Sequence, residues 1–138
     1  MRIVGLALVG LFAVAVAAPD ASAQSSASGP TFLPHGNYTM APDSGYAGPD
    51  LAGVVLHFTD DSTLVVNNAD GSLLVKARLT YDAGTISMND LEGDSMCPSV
   101  GKYKLTGDEQ AFRMVLVLDG CTDRATIVTM VRFVKQGA

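Results

Sequence analysis

From Gly36 onward, short apolar runs alternate with turn chemistry. "GNYTMA" gives way to "PDSGYAGPD", a loop with two prolines and two glycines. "GVVLHFT" stops at "DDS", and "TLVVNN" stops at "ADGS", an Asp-Gly turn between β-branched runs that signals a hairpin. "LLVKARLTY", "TISMND", "VGKYKL" and "AFRMVLVL" follow, each closed by a Gly- or Asp-containing stretch, and "ATIVTMVRFVK" comes last. This predicts eight strands. Turns recur about every 8–12 residues, the spacing of all-β sandwiches and barrels. No stretch holds the helical period of about 3.6 over three turns, so no helix is expected between strands. Most connections are of hairpin length, so sequence neighbours should pair antiparallel. An eight-strand meander removes its two free edges by closing on itself. The expected fold is therefore an all-β, eight-stranded up-and-down antiparallel barrel.

Alternation also predicts which face points inward. Leu73, Val75, Ala77, Leu79 and Tyr81 share one face, opposite Lys76, Arg78 and Thr80. Val54, Leu56 and Phe58 oppose His57. Phe112, Met114, Leu116 and Leu118 share a face, as do Ile127, Thr129, Val131 and Phe133 in the last run. The inward set is almost wholly apolar, with Tyr38, Tyr81 and Tyr103 as amphipathic members.

The N-terminus sets the compartment. Met1-Arg2 precedes the apolar run Ile3–Ala18, and Ala21-Ser22-Ala23 offers small residues at a cleavage site. This predicts a secretory signal peptide over residues 1–23, too short to be a membrane anchor. Residues 24–35, Ser/Gly/Pro-rich at first, read as a flexible leader, and 36–138 as the barrel domain. The mature chain is expected to be secreted or periplasmic, with no membrane span. Net charge is −5, and basic residues form pairs rather than a stripe, so nucleic acid and anionic membrane surfaces are poor partners.

Two cysteines in a secreted chain read as one disulfide, Cys97 to Cys121. A nucleophilic cysteine would need a nearby histidine, and a metal site three or four ligands. His35 and His57 are both distant in sequence.

"GNYTM" at the first strand, the eight-strand meander and the apolar inner face together resemble a lipocalin-type barrel. The spacing "MNDLEGDSMCPSVGKYKL…LVLDGCTDR" also resembles a group of small secreted bacterial lipocalin-like domains. That resemblance implies a cysteine after strand five, Cys97, paired with Cys121 in an Asp-x-Cys-x-x-Arg loop that also holds Asp119 and Arg124. The sequence departs from the larger lipocalins in having no tryptophan and no helix expected after the barrel. These departures leave the depth of the interior as the property the structure must supply.

The remaining motifs have plain explanations. Asp119 and Arg124 are read as a structural rim pair, since an arginine's five donors can tie down a barrel end. Ser99–Lys102 matches S-x-x-K but lies in a predicted strand without companion motifs. Asp90–Asp94 and Asn67–Gly71 carry oxygen ligands but lack calcium-loop spacing and read as solvated turns. Asn37-Tyr38-Thr39 is a formal glycosylation sequon, and His57 reads as a surface histidine. No catalytic residue, cofactor or metal is expected, and the chain is read as a non-enzyme. Two function classes follow. The first is a binding barrel for a small hydrophobic or amphipathic ligand, with Tyr38, Phe58, Met88, Tyr103, Met114 and Phe133 near the cavity. The second is a protein-interaction module, a secreted inhibitor or envelope accessory domain with a packed interior, whose partner would meet the Ala41–Gly53 loop through an exposed Tyr46.

Overall fold

A computed structural model describes residues 32–137. The signal-peptide reading (1–23) lies outside the described residues, as does most of the leader (24–35). The described chain forms a closed barrel in which each strand pairs antiparallel with its sequence neighbours and β1 pairs with β8. The strands are β1 (Gly36–Pro42), β2 (Val55–Phe58), β3 (Thr63–Asn67), β4 (Leu73–Asp82), β5 (Thr85–Glu92), β6 (Gly101–Gly107), β7 (Ala111–Leu118) and β8 (Val131–Lys135). One helix, α1 (Thr122–Thr129), is inserted between β7 and β8. No helix among the described residues is long and apolar enough to cross a membrane.

The predicted turns shape the hairpins. Gly71 takes a left-handed φ of 84° in the β3–β4 turn, where Asp70 Oδ1 accepts the Ser72 N–H at 2.9 Å. The β4–β5 turn needs positive φ at both central residues, Ala83 (45°) and Gly84 (78°). Alternation then fills the interior. Tyr38, Leu56, Phe58, Leu64, Val66, Ala77, Leu79, Ile86, Met88, Leu105, Phe112 and Met114 are all buried.

Two expectations about the C-terminal third are corrected. The eighth strand does not begin at Ala125: residues 122–129 are helical, so Ile127 and Thr129 lie on α1, while Val131 and Phe133 point inward as expected. The β-branched run Thr126–Thr129 favours a strand locally, but the propensity penalty in a helix is only about 0.5 kcal/mol per residue. Tertiary anchoring of Cys121 and Arg124, described below, opposes it, and Thr129 Oγ1 settles by donating to the Ala125 carbonyl at 2.8 Å.

Leu116 and Leu118 are exposed, not inward. β7 pairs with β8 only at Ala111 and Phe112, and its register with β6 slips between Lys102 and Tyr103. Past Phe112 the strand has no β8 partner, and Val115–Leu118 form an exposed apolar strip along that free edge.

The interior has two unlike ends. At one, Tyr38, Phe58, Phe112 and Phe133 pack edge-on or stacked, with Phe112 and Phe133 ring centroids 4.9 Å apart. The Tyr38 hydroxyl donates to the Glu109 carbonyl at 2.8 Å and ties this plug to the β6–β7 turn. At the other end gather the β1–β2 loop, the β5–β6 loop and α1.

Candidate functional site

The second end of the barrel is hollow. A cavity of about 760 Å³ lies within it, inside the range of about 300–1,000 Å³ typical of small-molecule sites. Its wall is mainly aliphatic and sulfur-bearing, with Met40, Leu64, Val66, Met88 and Met114 from the strands and Ile127 from α1. Strand alternation places these side chains: Met40 is two positions from Tyr38, and Met88 two from Ile86. Gly45, Ala47, Gly48 and Pro49 of the β1–β2 loop also face it. The aromatic plug forms the floor, since Phe133 is shared by plug and cavity.

A charged knot stands on one wall. Arg124 grips Asp119 with two prongs, Nε to Oδ2 at 2.7 Å and Nη2 to Oδ1 at 2.9 Å. Nη2 also donates to the Ser99 carbonyl at 2.5 Å, and the Tyr103 hydroxyl donates to Asp119 Oδ2. Arg124 Nη1 lies 2.9 Å from Asp90 Oδ2 as an ion pair without hydrogen-bond alignment. Each carboxylate also holds one half-cystine: Asp90 accepts the Cys97 N–H at 2.9 Å, and Asp119 the Cys121 N–H at 2.7 Å. The disulfide itself joins Cys97 to Cys121, with Cα atoms 6.3 Å apart. Staple and ion pairs thus fix the same wall, and they hold the start of α1 against the β5–β6 loop.

Burial sets the electrostatics. Desolvation pushes the Asp119 carboxyl upward, but the Arg124 guanidinium, the Tyr103 hydroxyl and the Cys121 N–H outweigh it and hold the pKa below the ordinary value. Burial, reinforced by Asp119, pushes the Tyr103 hydroxyl well above the usual phenol range. Arg124 is penalised by burial yet held more firmly protonated by Asp119 and Asp90.

Of the six residues expected near a cavity, Met88, Met114 and Phe133 line it. Tyr38 and Phe58 belong to the plug, and Tyr103 is buried with its hydroxyl on Asp119. Asp119 and Arg124 form the rim pair. Tyr46 is not an exposed loop aromatic: it packs against the core, with its hydroxyl buried. Asp90, read from the sequence as part of a solvated turn, instead lies on β5 with its side chain buried, on the inward alternation that Ile86 and Met88 set. Gly101 was missed too. A Cβ there would lie 2.6 Å from Asp119 Oδ2 and 2.9 Å from Arg124 Nη2, so only glycine leaves room for the knot. Cys97, Asp119 and Cys121 have metal-ligand proximity. Their donors are spent, however: the sulfurs are bonded to each other and the carboxylate accepts from Arg124, Tyr103 and Cys121.

His57 lies on the surface, with Nδ1 2.5 Å from Asn37 Oδ1. No protein-family model matches the chain, and no curated protein or solved structure matches it either. The architecture stands on its own geometry: a closed, eight-stranded, all-antiparallel barrel with one disulfide, compatible with a lipocalin-like fold.

Proposed function

We propose that this chain is a secreted or periplasmic, lipocalin-like binding protein that carries a small apolar or amphipathic molecule without transforming it. The observation that carries this reading is the cavity of about 760 Å³ in one half of the barrel, walled by methionines and aliphatic side chains. A concave, largely apolar cavity of this size, with a few polar groups on its wall, is the ordinary form of a small-molecule site. Methionine suits such a wall because its flexible thioether adapts to different ligand shapes. The disulfide fits an extracytoplasmic compartment.

The alternative, a protein-interaction module with a packed interior, has less support. One end of the barrel holds the cavity, and Tyr46, the anchor expected in the Ala41–Gly53 loop, packs against the core.

The test is mass spectrometry of the protein secreted by its own host, under native and then denaturing conditions. A native adduct that vanishes on denaturation supports the binding reading and gives the ligand's mass. A bare ion, together with no uptake of apolar probes in titration, overturns it.

A further inference from the structure

The charges around the cavity specify the head group of its ligand, an inference that rests on the binding reading above. The charged residues lining the cavity are Asp90, Asp123 and Arg124. An arginine in an apolar pocket is ordinarily an anchor for a carboxylate, because its fork matches two carboxylate oxygens. Here that fork is already filled by Asp119, whose side chain has no exposed surface. The third nitrogen, Nη1, is shut from solvent beside Asp90, whose side chain is only 4% exposed. Nη1 lacks an aligned hydrogen-bond partner but is sealed from solvent, so Arg124 has no exposed donor to offer an anion. Its single positive charge is set against three carboxylates, on Asp90, Asp119 and Asp123. The approach is acidic as well. Asp50 and Asp94 are sequence neighbours of the lining residues Pro49 and Ser95, and both are exposed.

We infer that the cavity selects amphiphiles with a cationic head group, of the alkylammonium class, and discriminates against fatty carboxylates. The alkyl chain lies among Met40, Met88 and Met114, and the head group faces Asp90 and Asp123. A carboxylate in the same place adds a fourth negative charge to a poorly solvated wall, where charge pairs interact more strongly than in water.

Three probes of equal chain length test this: dodecyltrimethylammonium, dodecanol and dodecanoate, each below its micellar concentration. They are titrated calorimetrically at neutral pH into the disulfide-bonded secreted chain. The expected order is ammonium tightest, alcohol next and carboxylate weakest, with about tenfold or more between the extremes, shrinking as salt rises. Asp90→Asn, which keeps an acceptor for the Cys97 N–H, narrows that gap. Asp123→Asn narrows it as well, and this exposed residue is free of the knot's hydrogen bonds, so its variant keeps the test open should Asp90→Asn fold poorly. Met114→Trp abolishes uptake of all three, which separates the cavity from adsorption of a cation on an acidic surface. Equal binding of all three, or tighter binding of dodecanoate, overturns the head-group inference while leaving the binding reading intact. Ammonium binding that survives Met114→Trp also overturns it. Failure of all three probes overturns the binding reading and the inference together.

Discussion

Arg124 and Asp119 form a two-pronged ion pair in which the carboxylate has no exposed surface. Asp119 also accepts the Cys121 N–H, so the pair and the disulfide constrain the same few residues. Breaking a buried pair by removing one partner costs more than the pair contributes, because the other charge is left stranded. Asp119→Asn is expected to destabilise by about 3 kcal/mol in denaturant unfolding at neutral pH. Asp94→Asn, on the exposed β5–β6 loop, should stay within about 0.5 kcal/mol. The pH dependence follows from the depressed Asp119 pKa. The stability it contributes is fully present above the ordinary carboxylate value of 3.8 and is lost as pH falls below that value through the folded pKa. Asp119→Asn should therefore flatten this part of the acid limb. An unchanged acid limb would assign it to other carboxylates.

Gly101 tests the same knot from the backbone side. An added methyl would press on Asp119 and Arg124 at once. Gly101→Ala should cost about 1–3 kcal/mol by overpacking. Combined with Asp119→Asn the two losses should be less than additive, since both act on one network. Strict additivity in that cycle would mean that Gly101 matters for some other reason.

All four tyrosines of the chain have hydroxyls pushed upward, chiefly by burial, with Tyr81 raised to about 12. A raised tyrosine pKa means that the folded state disfavours the phenolate. The associated stability is intact below the unfolded value of 10.0 and is lost as pH rises through the folded values. A spectrophotometric titration should show little tyrosinate near pH 10, then a rise that coincides with alkaline loss of near-UV circular dichroism. A phenolate ionising with its ordinary pKa, in protein that is still folded, would contradict the burial of that side chain.

The strands were legible because alternation is a strong signal wherever a closed barrel enforces it. Leu56, Phe58, Leu79, Met114 and Phe133 all point inward for that reason. The pattern failed where the barrel loosens its grip. Leu116 and Leu118 keep the inward spacing but lie on the part of β7 that β8 does not pair, and the register slip against β6 falls between them. Thr126–Thr129 look like a strand and are helical, because the anchors that oppose the strand, the disulfide and the Asp119–Arg124 pair, act over a distance that local propensity does not register. The rim pair was readable from Asp-x-Cys-x-x-Arg, whereas its third member was not. Asp90 lies more than thirty residues from Arg124, and only the inward phase of β5 hints at it. The division of the interior into plug and cavity was also hidden: Tyr38, Phe58, Met88 and Met114 all read as inward apolar residues, and register alone separates the first two from the others.

That division yields a paired experiment on core volume. Met114 borders the cavity, so a larger side chain there is directed toward that space rather than into packed neighbours on every side. Ile86 is fully buried and does not line the cavity, so extra volume there meets packed neighbours. Met114→Trp should change stability by less than about 1 kcal/mol, whereas Ile86→Phe should lose about 1–3 kcal/mol through overpacking. Unfolding midpoints of the two variants measure this directly. Should Met114→Trp lose as much as Ile86→Phe, the barrel interior is closed in solution and the second end is packed like the first. A stable Met114→Trp variant that still takes up dodecyl probes would instead place the ligand elsewhere. The expected combination, a stable barrel that no longer binds, follows only if the space beside Met114 is both empty in the free protein and the place where the ligand sits.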